Sequence, residues 1–269
     1  MRFLFWNIQK KDSFFETIAD ICVEHSIDVL GLAEFPKDKA NDLISAFKFK
    51  GLDISFVENV KYKVAVFHRI EANIYNKFEG EFVCALEAMI NGIPYSIVFC
   101  HLHSKNMASD DDTTNRARFF CEDLVDYENN IVSHCRTIVA GDFNMNPYDS
   151  GMISASAFNA MNSISVSKRG ERQLMGKSFR FFYNPTWNLH GDKGKETPAA
   201  SYYYDKADFD QYYWHMLDQV IIRPEVIPHF IFDDFRILYK GANYNLVLDD
   251  NRINETEYSD HLPISFTIK

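Results

Sequence analysis

The 269-residue sequence contains no run of 18 apolar residues, so no membrane-crossing helix is expected. Its N-terminus, MRFLFWNIQKK, carries one short apolar run and lacks the longer apolar segment and small-residue cleavage site of a secretory signal. The expectation is a cytoplasmic protein. Cysteine is sparse and unpatterned. Cys22, Cys84, Cys100, Cys121 and Cys135 are odd in number, widely spaced and never arranged as Cys-x-x-Cys, and each sits in an apolar stretch. Buried free thiols are expected, and a zinc site or disulfide framework is disfavoured. Basic residues are outnumbered, 28 Lys and Arg against 38 Asp and Glu, for a net charge of −10. Bulk charge therefore argues against a non-specific nucleic-acid binder, although clustered acids that hold a divalent cation reverse the local sign. Internal repeats, long linkers and low-complexity tracts are also missing.

What the chain does have is apolar mass, 46% hydrophobic residues with 24 Phe and 14 Tyr, enough for a sizeable core. Strand and helix patterns alternate along it. Residues 2–7, 28–34, 62–68, 72–78, 81–90, 94–102 and 137–140 read as strands, as do 215–222, 235–239 and 262–268. A capping box at Ser13 and Glu16 opens a helix with Phe14, Ile18, Ile21 and Cys22 at helical spacing. Helices are also expected over 38–47, 114–133 and 155–161. Asp110, Asp111 and Asp112 precede the 114–133 helix, where its dipole favours negative charge. The simplest architecture is one α/β domain over residues 1–269, with two packed sheets covered by helices.

Polar residues recur where these strands start or stop. Asn7 ends the first and Glu34 the second. His101 lies near the end of the 94–102 strand, Asp142 and Asn144 follow 137–140, and Asp260 and His261 open the last. In α/β sheets, ligands gather outside strand ends. Acids and amides suit an oxygen-seeking cation, and histidines with a further acid suit phosphate recognition and proton transfer. Asp218, inside the apolar stretch HMLDQVII, is costly unless paired.

Six short motifs come in order: WN at 6–7, AE at 33–34, HL at 101–102, GDFN at 141–144, LD at 217–218 and SDH at 259–261. In this order they resemble the endonuclease/exonuclease/phosphatase superfamily, which includes deoxyribonuclease I, exonuclease III, bacterial sphingomyelinases and inositol-polyphosphate phosphatases. The resemblance spans nearly the whole chain. It implies a four-layer α/β sandwich, two packed, mostly antiparallel sheets flanked by helices, and Mg²⁺-dependent phosphoester hydrolysis, with Mn²⁺ as a substitute. By position, Glu34 is then the main metal ligand with Asn7 and Asp260 nearby. Asp142 orients or deprotonates the attacking water, and Asn144 holds the phosphate or that water. His261 contacts the phosphate, Asp218 orients His261, and His101 is the second phosphate-side histidine.

Each motif alone also has a structural explanation. Asn7 caps a strand end, Glu34 caps a following helix, and Asp142 with Asn144 builds an Asx turn before Pro147. His101 is a core histidine on that view, and His103, on the same face of an ideal strand, competes for its role. Lys168, Arg169, Arg172, Lys177 and Arg180, opposed only by Glu171, read either as a solvated loop or as a contact to a nucleic-acid backbone or anionic lipid. Tyr202–Tyr204 and Tyr212–Trp214 bracket an acidic turn and suit either sheet packing or base stacking. Gln9-Lys10-Lys11 departs from the exonuclease III pattern, which argues against an abasic-site endonuclease. The stretch FYNPTW at 182–187 names no substrate. The expected activity is a nuclease acting on nucleic acid. The alternatives are a phosphatase or phospholipase-type phosphodiesterase on a small phosphoester or lipid head group, and a non-catalytic binding relative.

Overall fold

Residues 2–7 are apolar on both faces. Phe3 and Phe5 pack to one side, Leu4 and Trp6 to the other, and all four are buried. A strand covered on both faces must lie between two layers. A computed structural model of the chain, describing residues 1–57, 63–70, 72–73, 83–104, 109–206 and 211–269, has that layering.

The strands are β1 (Arg2–Asn7), β2 (Val29–Ala33), β3 (Ser55–Phe56), β4 (Val64–His68), β5 (Ala72–Asn73) and β6 (Val83–Ile90). They continue as β7 (Ile93–His101), β8 (Thr137–Asp142), β9 (Ala160–Met161), β10 (Glu171–Leu174), β11 (Lys177–Arg180) and β12 (Phe182–Tyr183). The last are β13 (Tyr202–Tyr203), β14 (Trp214–His215), β15 (Asp218–Ile222), β16 (Arg236–Ile237) and β17 (Ile264–Thr267). One sheet has the order β16-β17-β1-β2-β4-β3, the other β5-β6-β7-β8-β15-β12-β9. Among the described residues only β1–β2, β7–β8 and β9–β12 are parallel, so both sheets are mixed and mostly antiparallel. β10–β11 and β13–β14 form separate two-stranded ribbons.

Phe3, Phe5 and Val29 of the first sheet meet Leu86, Phe99, Ile138, Ala140 and Val220 of the second in the central core. Helices α1 (Phe15–Glu24) and α2 (Ala40–Phe49) cover the outer face of the first sheet, burying Ile18, Ile21, Leu43 and Phe47 against Leu30, Leu32 and Phe67. Helix α3 (Asp110–Asp126) covers the second with Ala117, Phe120, Cys121 and Leu124. The result is the four-layer sandwich expected from the sequence. Gly31 lets the two sheets approach: a Cβ there would stand 2.5 Å from the Phe99 ring.

Several sequence expectations need correcting. The Ser13–Glu16 capping box does not form; α1 starts one residue after Phe14, with no side-chain cap. The capping box belongs to α3, where Ser109 and Asp112 exchange hydrogen bonds, so the three aspartates make its first turn rather than precede it. That helix passes into a π-turn at Tyr127–Ile131. The helix expected at 155–161 is absent; a short α4 (Ser150–Ile153) ends before it and β9 occupies its end. The 215–222 strand is two elements, because Met216 N bonds the side chain of Asn146 instead of a neighbouring strand. Residues 62, 74–78 and 81–82 of the expected strands lie outside the described residues. Four cysteines are buried and Cys135 is half-buried, none in a disulfide. No helix among the described residues is long and apolar enough to cross a membrane.

Candidate active site

The sheet registers bring the separated polar residues to one edge. Asn7 pairs with Ala33 across parallel β1–β2, which sets Glu34 just beyond it. His101 pairs with Asp142 across parallel β7–β8, and Asp218, the first residue of antiparallel β15, faces Asp142 from the other side. β17 runs antiparallel to β1, so its lead-in from Ser259 to His261 returns to the same edge. There Trp6 Nε1 donates to the His261 carbonyl at 2.7 Å, and the Ser259 hydroxyl donates to the Asn7 carbonyl. Glu34 and Asn144 take left-handed backbone conformations, φ 51° at each, a strained geometry that clusters at functional sites. A Cβ on Gly141 would strike the Cys100 backbone, so only glycine lets β8 lie this close to β7 before Asp142.

Asn7, Glu34, His101, Asp142, Asn144, Asp260 and His261 line one cleft of about 510 Å³. Asp218 lies behind it, fully buried. His261 donates from Nδ1 to Asp218 Oδ2 at 2.7 Å, while its Nε2 faces Asp142 Oδ2 at 3.9 Å. Asp142 accepts from Asn7 Nδ2 at 3.0 Å and from the Asn144 amide at 2.8 Å. His101 Nε2 stands 3.6 Å from Asp142 and 3.8 Å from Glu34. Asn144 Nδ2 donates to the Leu102 carbonyl at 2.8 Å, fixing the turn. β7 ends at His101, so the strand alternation that would align His103 with it stops there, and His103 is not part of the cleft lining.

Two protonation states follow. Burial raises the Asp142 pKa, and the Asp218 carboxylate adds to this against the opposing histidines and the Asn7 hydrogen bond. Burial works to lower the His261 pKa, but the carboxylates of Asp218, Asp142 and Asp260 outweigh it and push it up to about 10. The His261 ring is thus biased towards its protonated form, between the carboxyl groups of Asp218 and Asp142.

The donor set fits a hard cation on the Glu34 side. Glu34, Asp260 and the amide of Asn7 offer oxygen, which suits Mg²⁺. Beside them, Gln9 Oε1 is buried and accepts no hydrogen bond, an orphaned acceptor of the kind a cation or its water satisfies. Asp142, Asp218 and His261 also bring donor atoms within 4.8 Å of one another. Within that cluster the 2.7 Å Asp218–His261 contact is already a hydrogen bond, so a cation there would compete with its proton.

Other residues line the cleft as well: Asn146 and His215, which the sequence reading does not single out, together with Gln9, Tyr202 and Tyr204. The Tyr202 ring packs 4.7 Å from that of His261. Tyr204 lies just past β13, and its ring stacks 6.5 Å from that of Tyr202. No residue of 168–180 lines the cleft. Arg180 is held by Glu128, which also binds Arg223 just past the far end of β15 from Asp218.

The endonuclease/exonuclease/phosphatase family matches over residues 4–261. No curated protein sequence matches the chain. Among solved structures, an AP endonuclease from Archaeoglobus fulgidus is 14% identical with a TM-score of 0.58, covering 100% of this chain and 99% of its own. A 3′ phosphatase from Neisseria bound to a product DNA hairpin is 12% identical with a TM-score of 0.57, covering 100% and 99%. The endonuclease domain of a telomere-specific non-LTR retrotransposon is 11% identical with a TM-score of 0.56, covering 100% and 97%. At such identities these neighbours speak to the fold, while the family match spans nearly the whole sequence. The chain belongs to the endonuclease/exonuclease/phosphatase family, whose members are metal-dependent hydrolases of phosphoester bonds.

Proposed function

We propose that the protein is a nuclease, cleaving phosphodiester bonds of nucleic acid with an activated water and a divalent cation, Mg²⁺ or Mn²⁺. Glu34, Asp260 and Asn7 would hold the cation. When bound, it neutralises phosphate oxygens and assists departure of the alkoxide. Asp142, fixed by Asn7 and Asn144, orients the attacking water and takes its proton; its burial-raised pKa makes it a better base than an exposed aspartate. His261 donates from Nε2 to a non-bridging phosphate oxygen, where negative charge grows. Asp218 locks the Nδ1 proton in place. His101 flanks Asp142 on the opposite side and contacts the same phosphate. The contributing residues run from position 7 to 261, which supports reading the chain as one catalytic unit.

The observation that carries this reading is the Asp218–His261 hydrogen bond ending in an imidazolium that faces Asp142 across a cleft lined by oxygen donors. Nucleic acid is preferred as substrate because the neighbouring structures include an AP endonuclease, a retrotransposon endonuclease domain and a 3′ phosphatase bound to DNA. A hydrolysis panel in Mg²⁺ tests it, with single- and double-stranded DNA, RNA, a chromogenic phosphodiester, inositol phosphates and sphingomyelin. Cleavage of a nucleic acid is expected. Turnover confined to an inositol phosphate or sphingomyelin would replace the substrate class and keep the chemistry.

A further inference from the structure

The cleft does not stop at the reacting residues. Past Tyr202 and Tyr204 lies a second depression of about 350 Å³, which shares Tyr202, Tyr204 and Asp260 with it. Tyr202 stands between the two: its ring is 4.7 Å from that of His261 and 6.5 Å from that of Tyr204, with an 18° interplanar angle to the latter. The Tyr204 amide donates to the Tyr213 carbonyl at 2.8 Å, which ties it to the neighbouring ribbon strand. Lys206 places its ammonium 5.7 Å from the Tyr204 ring centre. The Tyr204 ring itself is exposed.

Charge narrows the occupant. Lys206 and Arg252 border the depression together with Asp205, Glu255 and Asp260, and Arg252 is already paired with Asp250 and Asp205. A run of phosphates finds no basic track here. A flat uncharged ring finds the exposed Tyr204 ring one ring beyond His261, where it would take the place of the Lys206 ammonium that lies over that ring. Resting on the nuclease reading above, we propose that Tyr204, backed by Tyr202, is the stacking platform for a single nucleobase of the substrate, flanking the scissile phosphate. Tyr204 is thus a specificity-determining residue that takes no part in the bond-breaking step.

The test moves one reduced abasic residue, position by position, along a labelled single-stranded DNA. KM and kcat are measured in Mg²⁺, and binding is measured by anisotropy without metal. For the unaltered protein, one position should raise KM and weaken binding about tenfold, as the loss of one base–aromatic stack implies. Tyr204→Ala should raise KM for the intact strand by a similar factor with little change in kcat, and should erase the penalty at that position. Tyr204→Trp should restore both. A protein indifferent to base removal at every position, or a Tyr204→Ala variant that keeps the full penalty, overturns the platform. Failure to bind or cleave any strand while a chromogenic phosphodiester is hydrolysed also overturns it and leaves the hydrolase standing. Strand binding with the positional penalty but no hydrolysis of any phosphoester keeps the platform and overturns the hydrolase.

Discussion

Asp218 stands at the head of a buried strand, and its side chain hydrogen-bonds His261. In the proposed mechanism its value lies in the transition state, where the imidazolium it stabilises meets growing negative charge. Asp218→Asn should therefore lower kcat about 100-fold, the scale of one oriented donor, while KM moves little. Steady-state kinetics check this, and a kcat within twofold of the original would refute the dyad. Glu34→Gln should raise the Mg²⁺ concentration for half-maximal activity at least about tenfold, read from metal titrations. Asp218 is legible in the sequence because an acid within an aliphatic strand demands a partner. Tyr202 is not legible as a neighbour of His261, because nothing local links two residues 59 positions apart; only the bridge between them, which pairs a ribbon strand with the β17 lead-in, does so.

At the scale of elements, β7 and β8 are held so close that Gly141 has no room for a side chain against the Cys100 backbone. Gly141→Ala should cost about 1–3 kcal/mol, the usual penalty of overpacking, seen as a lower denaturant midpoint at constant m-value. An unchanged midpoint would contradict the close approach. Strands written as compact apolar runs are the most legible in the sequence; β1 matches residue for residue. Misreadings fall where tertiary partners override local pattern. The 155–161 stretch lacks the length for an independent helix and gives its end to β9 beside β12. The Ser109 cap is hidden in sequence because the aspartates after it look like flanking charge, whereas Asp112 reaches back to the Ser109 amide and hydroxyl.

Across the whole molecule, two buried polar clusters contrast, one at the cleft and one beyond the other end of β15. At the cleft, polar atoms are left with unfilled capacity: Gln9 Oε1, His101 Nδ1 and Asp218 Oδ1 are buried without a hydrogen-bond partner. At the far end charged groups neutralise one another. Glu128 accepts from Arg223 Nε at 2.8 Å and Nη2 at 3.0 Å, and from Arg180 Nη1 at 3.1 Å, linking the π-turn after α3 to β15 and β11. Arg223→Met should lower stability by about 3–5 kcal/mol, because it leaves the Glu128 carboxylate buried with a single partner; equilibrium unfolding measures it, and a change below about 1 kcal/mol would contradict it. The basic look of residues 168–180 in sequence is thus partly internal bookkeeping of charge. A chelator should abolish activity while leaving the melting temperature within a few degrees, since the cation's ligands sit on a sandwich whose core forms without them.

The central claim, that this cleft breaks phosphodiester bonds with Asp142 activating water, is tested most directly by single-turnover cleavage of an end-labelled oligonucleotide in Mg²⁺. The unaltered protein and Asp142→Asn are purified side by side for this assay. The account predicts discrete products from the unaltered protein, none in excess chelator, and a rate at least about 1000-fold lower for Asp142→Asn, as loss of a general base together with its positioning implies. Equal cleavage by the two proteins, or cleavage that persists in excess chelator, would contradict it.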